Sequence, residues 1–157
     1  MRLYLVQHGQ AMETHENPDR PLSAQGRDDV AAIGQWLRQA GANISSIEHS
    51  GKTRARETAE LLARALGNAA VEERKDLAPN DPVDIVSKSL KNRRHDLMLV
   101  GHLPFMSKLA SLLVTGDEYA NVLSFQQGAV VCLEREPDAL WSVAWMVTPE
   151  LARAAGF

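Results

Sequence analysis

The chain has 157 residues, of which 45% are hydrophobic and 24% are charged, and its formal net charge is −3. This balance is typical of one globular domain with a single core, and it argues against a general nucleic-acid binder, which would be basic. No apolar run approaches the ~20 residues of a membrane-spanning helix. The only cysteine, Cys132, lies in an apolar stretch, which is typical of a buried, unreactive thiol. Without a disulfide or a secretory signal, we expect a cytoplasmic protein.

A buried strand that ends in polar residues is the first predicted element. The run from Leu3 to Val6 is apolar without alternation, which is typical of a strand covered on both faces. Gln7, His8 and Gly9 follow it, and Gly9 allows a sharp turn that a residue with a Cβ resists. We therefore expect His8 at the carboxyl edge of a sheet, where open α/β sheets bind their ligands.

A polar loop follows this strand and ends at Pro21. Because proline disfavours a helical conformation of the residue before it, Arg20 is expected to be extended. Hydrophobic periodicity, helix caps and helix-breaking residues predict the later elements. The predicted helices lie between Ser23 and Gly41, from Thr53 to Leu66, from Pro82 to about Arg93 and from Pro104 to Gly116, and the predicted strands run from Ile44 to His49, Ala69 to Glu73, Leu97 to Val100, Ala129 to Glu134 and Leu140 to Val147, before a surface segment from Thr148 to Phe157. Leu61, Leu62 and Leu66 are the predicted apolar stripe of the second helix, and Asp81 is the predicted N-cap of the third.

The alternation of strands and helices predicts an α/β fold, a three-layer α/β/α sandwich with a mainly parallel central sheet. In such a sheet the carboxyl ends of the parallel strands meet at one edge. Three of the predicted strands end there in polar residues: Gln7-His8-Gly9, His49-Ser50 and Gly101-His102. A histidine beside a glycine at two of these ends indicates a site.

Arg54 lies in the first turn of the predicted second helix, where its charge faces the positive end of the helix dipole. Two interpretations are open. The side chain extends into water, or the arginine and the helix end together bind an anion, with the guanidinium pairing two phosphate oxygens. The local pattern favours neither.

His8 and His102 are the candidate catalytic histidines, because each follows a buried strand beside a glycine. Neutral imidazole is a competent nucleophile toward phosphorus, and a second imidazole can hydrogen-bond the transferring oxygens. A zinc site formed by these two histidines and carboxylates from Glu13 to Asp19 is the competing interpretation, although no pair has tight ligand spacing. Structural roles are assigned to the other histidines, His15, His49 and His95.

Four motifs occur in the chain in order: Gln7-His8-Gly9, Arg20-Pro21-Leu22-Ser23-Ala24-Gln25-Gly26, the segment from Ser50 to Ala59, and Val100-Gly101-His102-Leu103-Pro104. Together they resemble the histidine phosphatase superfamily, also called the phosphoglycerate-mutase-like family. The resemblance covers nearly the whole chain and is strongest to the short SixA-type phosphohistidine phosphatases. It implies a phosphoglycerate-mutase-like fold and a single histidine phosphatase domain over residues 1–157.

The resemblance also implies a mechanism. His8 would attack phosphorus and form a phosphohistidine intermediate, while Arg54 and His102 would line the phosphate pocket. Further substrate contacts would come from Gln7, Gly9, Arg20, Ser50 and Gly101. No metal or organic cofactor is implied. The substrate would be phosphohistidine on a signalling protein such as a phosphotransfer domain.

The chain departs from the family pattern at three positions. Gln7 stands where the family has arginine, Gly51 where it has proline, and Glu57 where it has glutamine. The first departure matters most, because a hydrogen bond from a charged donor contributes about 1.5–3 kcal/mol, against about 0.5–1.5 kcal/mol from a neutral one. Losing that charge is expected to weaken transition-state stabilisation by ~1–2 kcal/mol, a factor of about 5–30.

Two alternative functions remain open. A phosphatase for small phosphomonoesters would need an acid in the loop from Asp76 to Asp84, where Asp81 is the candidate. The substitution at Gln7 suggests the other alternative, a phosphate-binding or interaction module with little or no turnover.

Overall fold

Six strands and five helices make up the protein, and the computed structural model describes residues 1–157. Their bounds are β1 (Arg2–Gln7), α1 (Ala24–Gln39), β2 (Ser46–His49), α2 (Thr53–Ala65), β3 (Ala70–Glu73), α3 (Val83–Leu90), β4 (Leu97–Gly101), α4 (Phe105–Thr115), β5 (Val130–Arg135), β6 (Trp141–Val147) and α5 (Pro149–Ala154). None of the helices combines the length and the apolar character needed to cross a bilayer.

One sheet contains all six strands, in the order β3-β2-β4-β1-β5-β6. The neighbouring strands β3, β2, β4 and β1 pair in parallel. At the other side of β1, β5 and β6 add in antiparallel fashion. The sheet is therefore mainly parallel, as predicted, because a helix after each of β1, β2 and β3 returns the chain to the same edge.

The side chains of β1 alternate between two hydrophobic cores, one on each face of the sheet. Tyr4 and Val6 face the core beneath α1, α2 and α5, whereas Leu3 and Leu5 face the core beneath α3 and α4. All four are buried, and full burial of a large apolar side chain contributes about 1.5–3 kcal/mol. These layers confirm the three-layer α/β/α sandwich and give the residues at the end of β1 a rigid base.

The start of α1 follows the prediction. The Ser23 hydroxyl accepts a hydrogen bond from the Gly26 N–H (3.0 Å), so Ser23 is the N-cap. A Cβ on Gly26 would lie only 2.1 Å from the carbonyl oxygen of Gln10. Glycine at this position therefore lets α1 pack directly against the loop that follows β1.

The predicted apolar stripe of α2 is wrong in part. Leu62 is buried, but Leu61 and Leu66 are only half-buried. Ala55 and Ala59 are fully buried instead. Small side chains occupy these positions because α2 packs against both α1 and the sheet, and close approach leaves no room for leucine.

The predicted N-cap of α3 is wrong. Pro82 occupies the N-cap position, and the Asp81 carboxylate instead accepts a hydrogen bond from the Ala78 N–H (2.8 Å) in the preceding turn. Aspartate stabilises a turn by the same kind of hydrogen bond with which it caps a helix. The residue pattern alone does not distinguish the two uses.

The helix α3 is also shorter than predicted, since it ends at Leu90 rather than about Arg93. The guanidinium of Arg135, at the end of β5, donates hydrogen bonds to the carbonyl oxygens of Leu90 (2.7 Å) and Arg93 (2.5 Å). These carbonyl groups at the end of a helix lack partners within it. A distant side chain therefore stabilises this end of α3.

The segment after β6 is a helix and not only a surface segment. Thr148 is the N-cap of α5, and its hydroxyl accepts a hydrogen bond from the Leu151 N–H (3.2 Å). Ala152 is buried in the core beneath α1, and Arg153 forms an ion pair with Asp29 of α1. Packing against α1 allows so short a helix to form, because isolated helices of this length are unstable in water.

Candidate active site

Polar residues at the ends of three neighbouring strands meet at one edge of the sheet. β4 pairs with β1 on one side and β2 on the other, and the register places Gln7 opposite Gly101. The backbone N–H of His8 donates to the carbonyl oxygen of Gly101 (3.0 Å). The rings of His8 and His102 lie with their centroids 4.9 Å apart. The topology thus brings together the two histidines that the sequence singled out.

His8 is held as a neutral imidazole with Nε2 unprotonated. The residue is 7% exposed, and burial, together with the positive charges of Arg54 and Arg20, lowers its pKa to about 4. Nδ1 lies 2.7 Å from the carbonyl oxygen of Gly9, which can only accept, so Nδ1 carries the hydrogen. The Arg54 Nε–H donates to the remaining lone pair on Nε2 at 3.3 Å. At pH 7 His8 therefore presents a nitrogen that can act as a nucleophile.

Thr58 joins the turn after β1 to the first turn of α2. Its hydroxyl donates to the carbonyl oxygen of Arg54 (2.7 Å) and accepts from the Gly9 N–H (3.1 Å). A Cβ on Gly9 would lie 2.8 Å from Cγ2 of Val30, so a side chain at this position would collide with α1. These contacts hold the helix that carries Arg54 at a fixed distance from His8.

Arg54 is partly buried, and its Nε–H points toward His8. It lies in the first turn of α2, where the N-cap residue, Lys52, makes no side-chain capping bond and no acidic residue is present. Burial and the charge of Arg20 lower the pKa of its guanidinium. Unpaired N–H groups at the helix end and the guanidinium next to them both favour an anion. This geometry supports the anion-binding interpretation of Arg54.

His102 pairs with Ser50 at the end of the neighbouring strand. Its Nε2 lies 2.6 Å from Ser50 Oγ, while Nδ1 is buried and has no hydrogen-bond partner. The residue is 2% exposed, and burial, followed by the nearby His8 and the positive charges of Arg54, Lys52 and Arg20, lowers the pKa of His102 to about 3. Both imidazoles of the site are therefore neutral at pH 7.

The prediction of an extended Arg20 is wrong. Its φ is +48°, in the left-handed region that residues other than glycine seldom adopt. The loop imposes this conformation because it closes on itself: the Arg20 N–H donates to the carbonyl of Asn17 (3.0 Å), and the Met12 N–H donates to that of Pro21 (2.8 Å). The Arg20 Nε–H donates to the Met12 carbonyl (3.1 Å). The positive charge of Arg20 is close enough to Arg54 to lower the pKa of the Arg54 guanidinium. Arg20 therefore borders the site.

Gln7 occupies the position where an arginine was expected from the family pattern. It is 9% exposed, and its Oε1 atom has no hydrogen-bond partner. Because side chains alternate along a strand, Gln7 lies on the same face as Leu5, toward α3 and α4, while His8 lies toward α1 and α2. The α2 side of the site therefore carries the charge of Arg54, and the Gln7 side carries only a neutral amide.

Gly51 turns the chain between β2 and α2. Its φ is +87°, whereas the ring of the proline found in the family pattern would hold φ at about −65°. A Cβ at this position would lie 2.6 Å from Oε1 of Glu73, at the end of β3. The glycine therefore permits a turn that proline could not adopt, and Ser50, which contacts His102, lies at the start of that turn.

Glu57 anchors the loop of Arg20 to α2. Its carboxylate accepts a hydrogen bond from the Leu22 N–H (2.8 Å) and forms an ion pair with Arg27 of α1 (3.1 Å). The sequence identified Glu57 only as a departure from the family pattern. For Thr58, the spacing of four residues indicated only that it shares a helix face with Arg54. No local pattern predicts these partners, because Glu57 and Leu22 are 35 positions apart.

The remaining residues that the sequence analysis considered form no hydrogen bond with His8 or His102 through their side chains. His49 is buried, and its Nδ1 accepts a hydrogen bond from the Gly51 N–H (3.0 Å), which supports its structural role. The competing zinc site does not form, since no three His, Cys, Asp or Glu side chains come close enough to hold a metal ion. Cys132 is buried, and burial raises the pKa of its thiol to about 11, as expected of an unreactive thiol.

The sequence of this chain matches the model of one protein family. The family model described as the histidine phosphatase superfamily (branch 1) matches residues 3–81, which include His8, Arg20 and Arg54. The chain belongs to the histidine phosphatase superfamily. The family that four short motifs predicted is therefore confirmed.

Two known proteins are similar to this superfamily member over most of its length. An uncharacterised protein of Picosynechococcus sp. is 29% identical over 143 residues, which cover 82% of this chain and 87% of that protein. The phosphohistidine phosphatase SixA of Escherichia coli is 23% identical over 155 residues, which cover 95% of this chain and 94% of that enzyme. These relatives have nearly the same length as this chain.

Two solved structures share the fold of this chain. The protein histidine phosphatase SixA complexed with tungstate superposes with a TM-score of 0.84 at 22% identity, covering 95% of this chain and 97% of that one. A phosphoserine phosphatase mutant of Entamoeba histolytica in complex with phosphoserine gives a TM-score of 0.71 at 12% identity, covering 96% and 98%. The predicted phosphoglycerate-mutase-like fold is confirmed.

Proposed function

We propose that this protein is a phosphatase that hydrolyses phosphohistidine on another protein and forms a phosphohistidine of its own during the reaction. The observation that carries the proposal is the state of His8. Its Nδ1–H is held by the Gly9 carbonyl, and the lone pair on Nε2 lies beside Arg54 in a neutral imidazole. The similarity to the phosphohistidine phosphatase SixA supports the choice of substrate.

In the proposed reaction, Nε2 of His8 attacks phosphorus in line with the P–N bond of the substrate. A P–N bond to His8 forms as the substrate bond breaks, and the leaving imidazole takes a proton from water. Water then attacks the phosphorus of the intermediate and releases inorganic phosphate and free His8. Arg54 and Arg20 offset the charge on the transferring oxygens, and His102 lines the same pocket. The proposed steps use no metal or organic cofactor.

The leaving group decides between the proposed substrate and a small phosphomonoester. An alkoxide leaves with difficulty unless an acid protonates it, whereas an imidazole leaves readily. Asp81, the candidate acid, already accepts a hydrogen bond from the Ala78 N–H within its loop. A phosphohistidine therefore suits this site better, and the partner we propose is a cytoplasmic signalling protein that carries it, such as a phosphotransfer domain.

A substrate panel tests the proposal. The wild-type protein is incubated with a phosphohistidine-bearing phosphotransfer protein, a phosphohistidine peptide and phosphoserine, a small ester whose leaving group is an alkoxide, and phosphate release is measured. We expect the highest kcat/KM with the phosphorylated protein, and no change when Asp81→Asn is used, because asparagine keeps the acceptor for the Ala78 N–H. Faster hydrolysis of the ester, lost in Asp81→Asn, would support the phosphomonoesterase instead. Tungstate binding without turnover of any substrate would indicate a phosphate-binding module.

Restoring the charge at Gln7 provides a second prediction. We expect Gln7→Arg to raise kcat/KM for the phosphohistidine protein by about 5–30-fold, because a charged donor stabilises the transferring phosphoryl group by ~1–2 kcal/mol more than a neutral one. Gln35→Arg, which adds the same charge on an exposed position of α1, is the matched control. An unchanged kcat/KM in Gln7→Arg would show that the amide does not limit this site.

A further inference from the structure

The contact between Ser50 and His102 bears on which nitrogen of His102 carries its hydrogen. A neutral imidazole has one N–H, on either Nδ1 or Nε2. His102 is neutral at pH 7, and its Nε2 is the nitrogen next to Ser50 Oγ, at 2.6 Å. The tautomer therefore decides whether His102 offers a hydrogen or a lone pair on the side where Ser50 lies.

The surroundings of His102 favour a hydrogen on Nε2. Nδ1 is buried without a partner, so a hydrogen on it would be an unpaired buried donor. Folded proteins tolerate an unpaired buried N–H less often than an underused acceptor. With the hydrogen on Nε2, the donor has Ser50 Oγ as its acceptor, and only a lone pair on Nδ1 is left unused.

The hydrogen bonds of Ser50 agree with the same tautomer. A hydroxyl oxygen has two lone pairs and one hydrogen. With the hydrogen on Nε2, one lone pair of Ser50 Oγ accepts from His102, and the second accepts from the Lys52 backbone N–H at 3.5 Å. Both lone pairs are then used by donors, and the hydroxyl hydrogen is free to bind a phosphoryl oxygen at the strand ends.

We propose that Ser50 is a positioning residue that holds His102 as the neutral Nε2–H tautomer, so that the Ser50 hydroxyl presents its hydrogen rather than a lone pair to the phosphoryl group. In the opposite tautomer the Ser50 hydroxyl would donate its only hydrogen to Nε2, and only lone pairs of Oγ would be left to face an anionic oxygen. The catalytic part of this inference rests on the proposed function. The part that concerns the tautomer applies to the protein without substrate and is tested separately.

Two measurements on the same variants test the role of Ser50. Long-range ¹H–¹⁵N spectra distinguish the two tautomers of neutral histidine, and His102→Gln identifies the signals of His102 by their loss. Steady-state hydrolysis of the phosphohistidine protein gives kcat and KM. The variants are Ser50→Ala, Ser50→Thr, which keeps the hydroxyl, and the control Ser45→Ala, an exposed serine just before β2.

We expect the wild type, Ser50→Thr and Ser45→Ala to show the Nε2–H tautomer. In Ser50→Ala the Nδ1–H tautomer should gain population, and kcat should fall by about tenfold with a smaller change in KM, as expected for one lost hydrogen bond in the transition state. A wild type with the Nδ1–H tautomer would overturn the inference. So would a Ser50→Ala variant that keeps both the tautomer and kcat. A wild type with the Nε2–H tautomer but no hydrolysis would contradict the proposed function and still support the ordering of His102 by Ser50.

Discussion

Replacing His8 with alanine is expected to lower kcat for hydrolysis of the phosphohistidine protein by about 10⁴-fold or more. Without the imidazole there is no nitrogen to accept the phosphoryl group, and the Nε2 lone pair beside Arg54 has no substitute. Rapid-quench assays of phosphate release measure the effect. Wild-type protein incubated with substrate should also carry an acid-labile phosphoryl group on His8, detectable by mass spectrometry at neutral or alkaline pH.

His15→Ala is the matched control for this prediction, because His15 is an exposed histidine in the loop after β1. It should keep the wild-type kcat. His8→Ala should still bind tungstate through Arg54 and Arg20, which separates a lost nucleophile from a lost fold. Substantial turnover in His8→Ala, or a phosphoryl label on another residue, would refute the proposed nucleophile.

Replacing Arg54 with alanine is expected to lower kcat/KM by about 10²–10³-fold, the range seen when one preorganised donor to a developing anion is removed. The guanidinium is partly buried at the start of α2 and points at His8. Arg54→Lys should recover only part of the activity, because an ammonium group lacks the planar fork that pairs two phosphate oxygens. Initial rates with the phosphohistidine protein give these values.

Arg56→Ala controls for the loss of a positive charge from the same helix. Arg56 is exposed and makes only a surface ion pair with Glu60 (3.9 Å), and such pairs contribute little. Histidine NMR titration adds a second readout: since the charge of Arg54 helps to lower the pKa of His8, that pKa should rise in Arg54→Ala. Equal kcat/KM in Arg54→Ala and Arg56→Ala would contradict the assigned role of Arg54.

Most of the fold was predictable because its signals are local. The apolar run of β1 requires burial on both faces. The Ser23 hydroxyl caps α1 by accepting a hydrogen bond from the N–H of Gly26, only three residues later in the chain. Predictions failed where a distant partner decided the outcome. Arg135 binds the end of α3 from β5, and α5 forms where its Ala152 packs into the core beneath α1.

The candidate site was predictable as a set of residues but not as a chemical arrangement. A histidine beside a glycine at two strand ends, in a sheet predicted to be parallel, was enough to place His8 and His102 at one edge. The conformation of Arg20 was predicted wrongly, because the rule for residues before proline does not include hydrogen bonds that close the loop. The anchoring of that loop by Glu57 was not predicted at all.

The sequence by itself determined the family, the order of the elements and the identity of the residues at the strand ends, because motifs and hydrophobic periodicity are properties of neighbouring residues. Only the tertiary structure decided that His8 and His102 are neutral, that Gly9 holds the hydrogen of His8, and that Ser50 lies against His102. The physical reason is that burial and hydrogen bonding set these properties. Ser50 and His102 are 52 positions apart along the chain and become neighbours only when β2 and β4 pair.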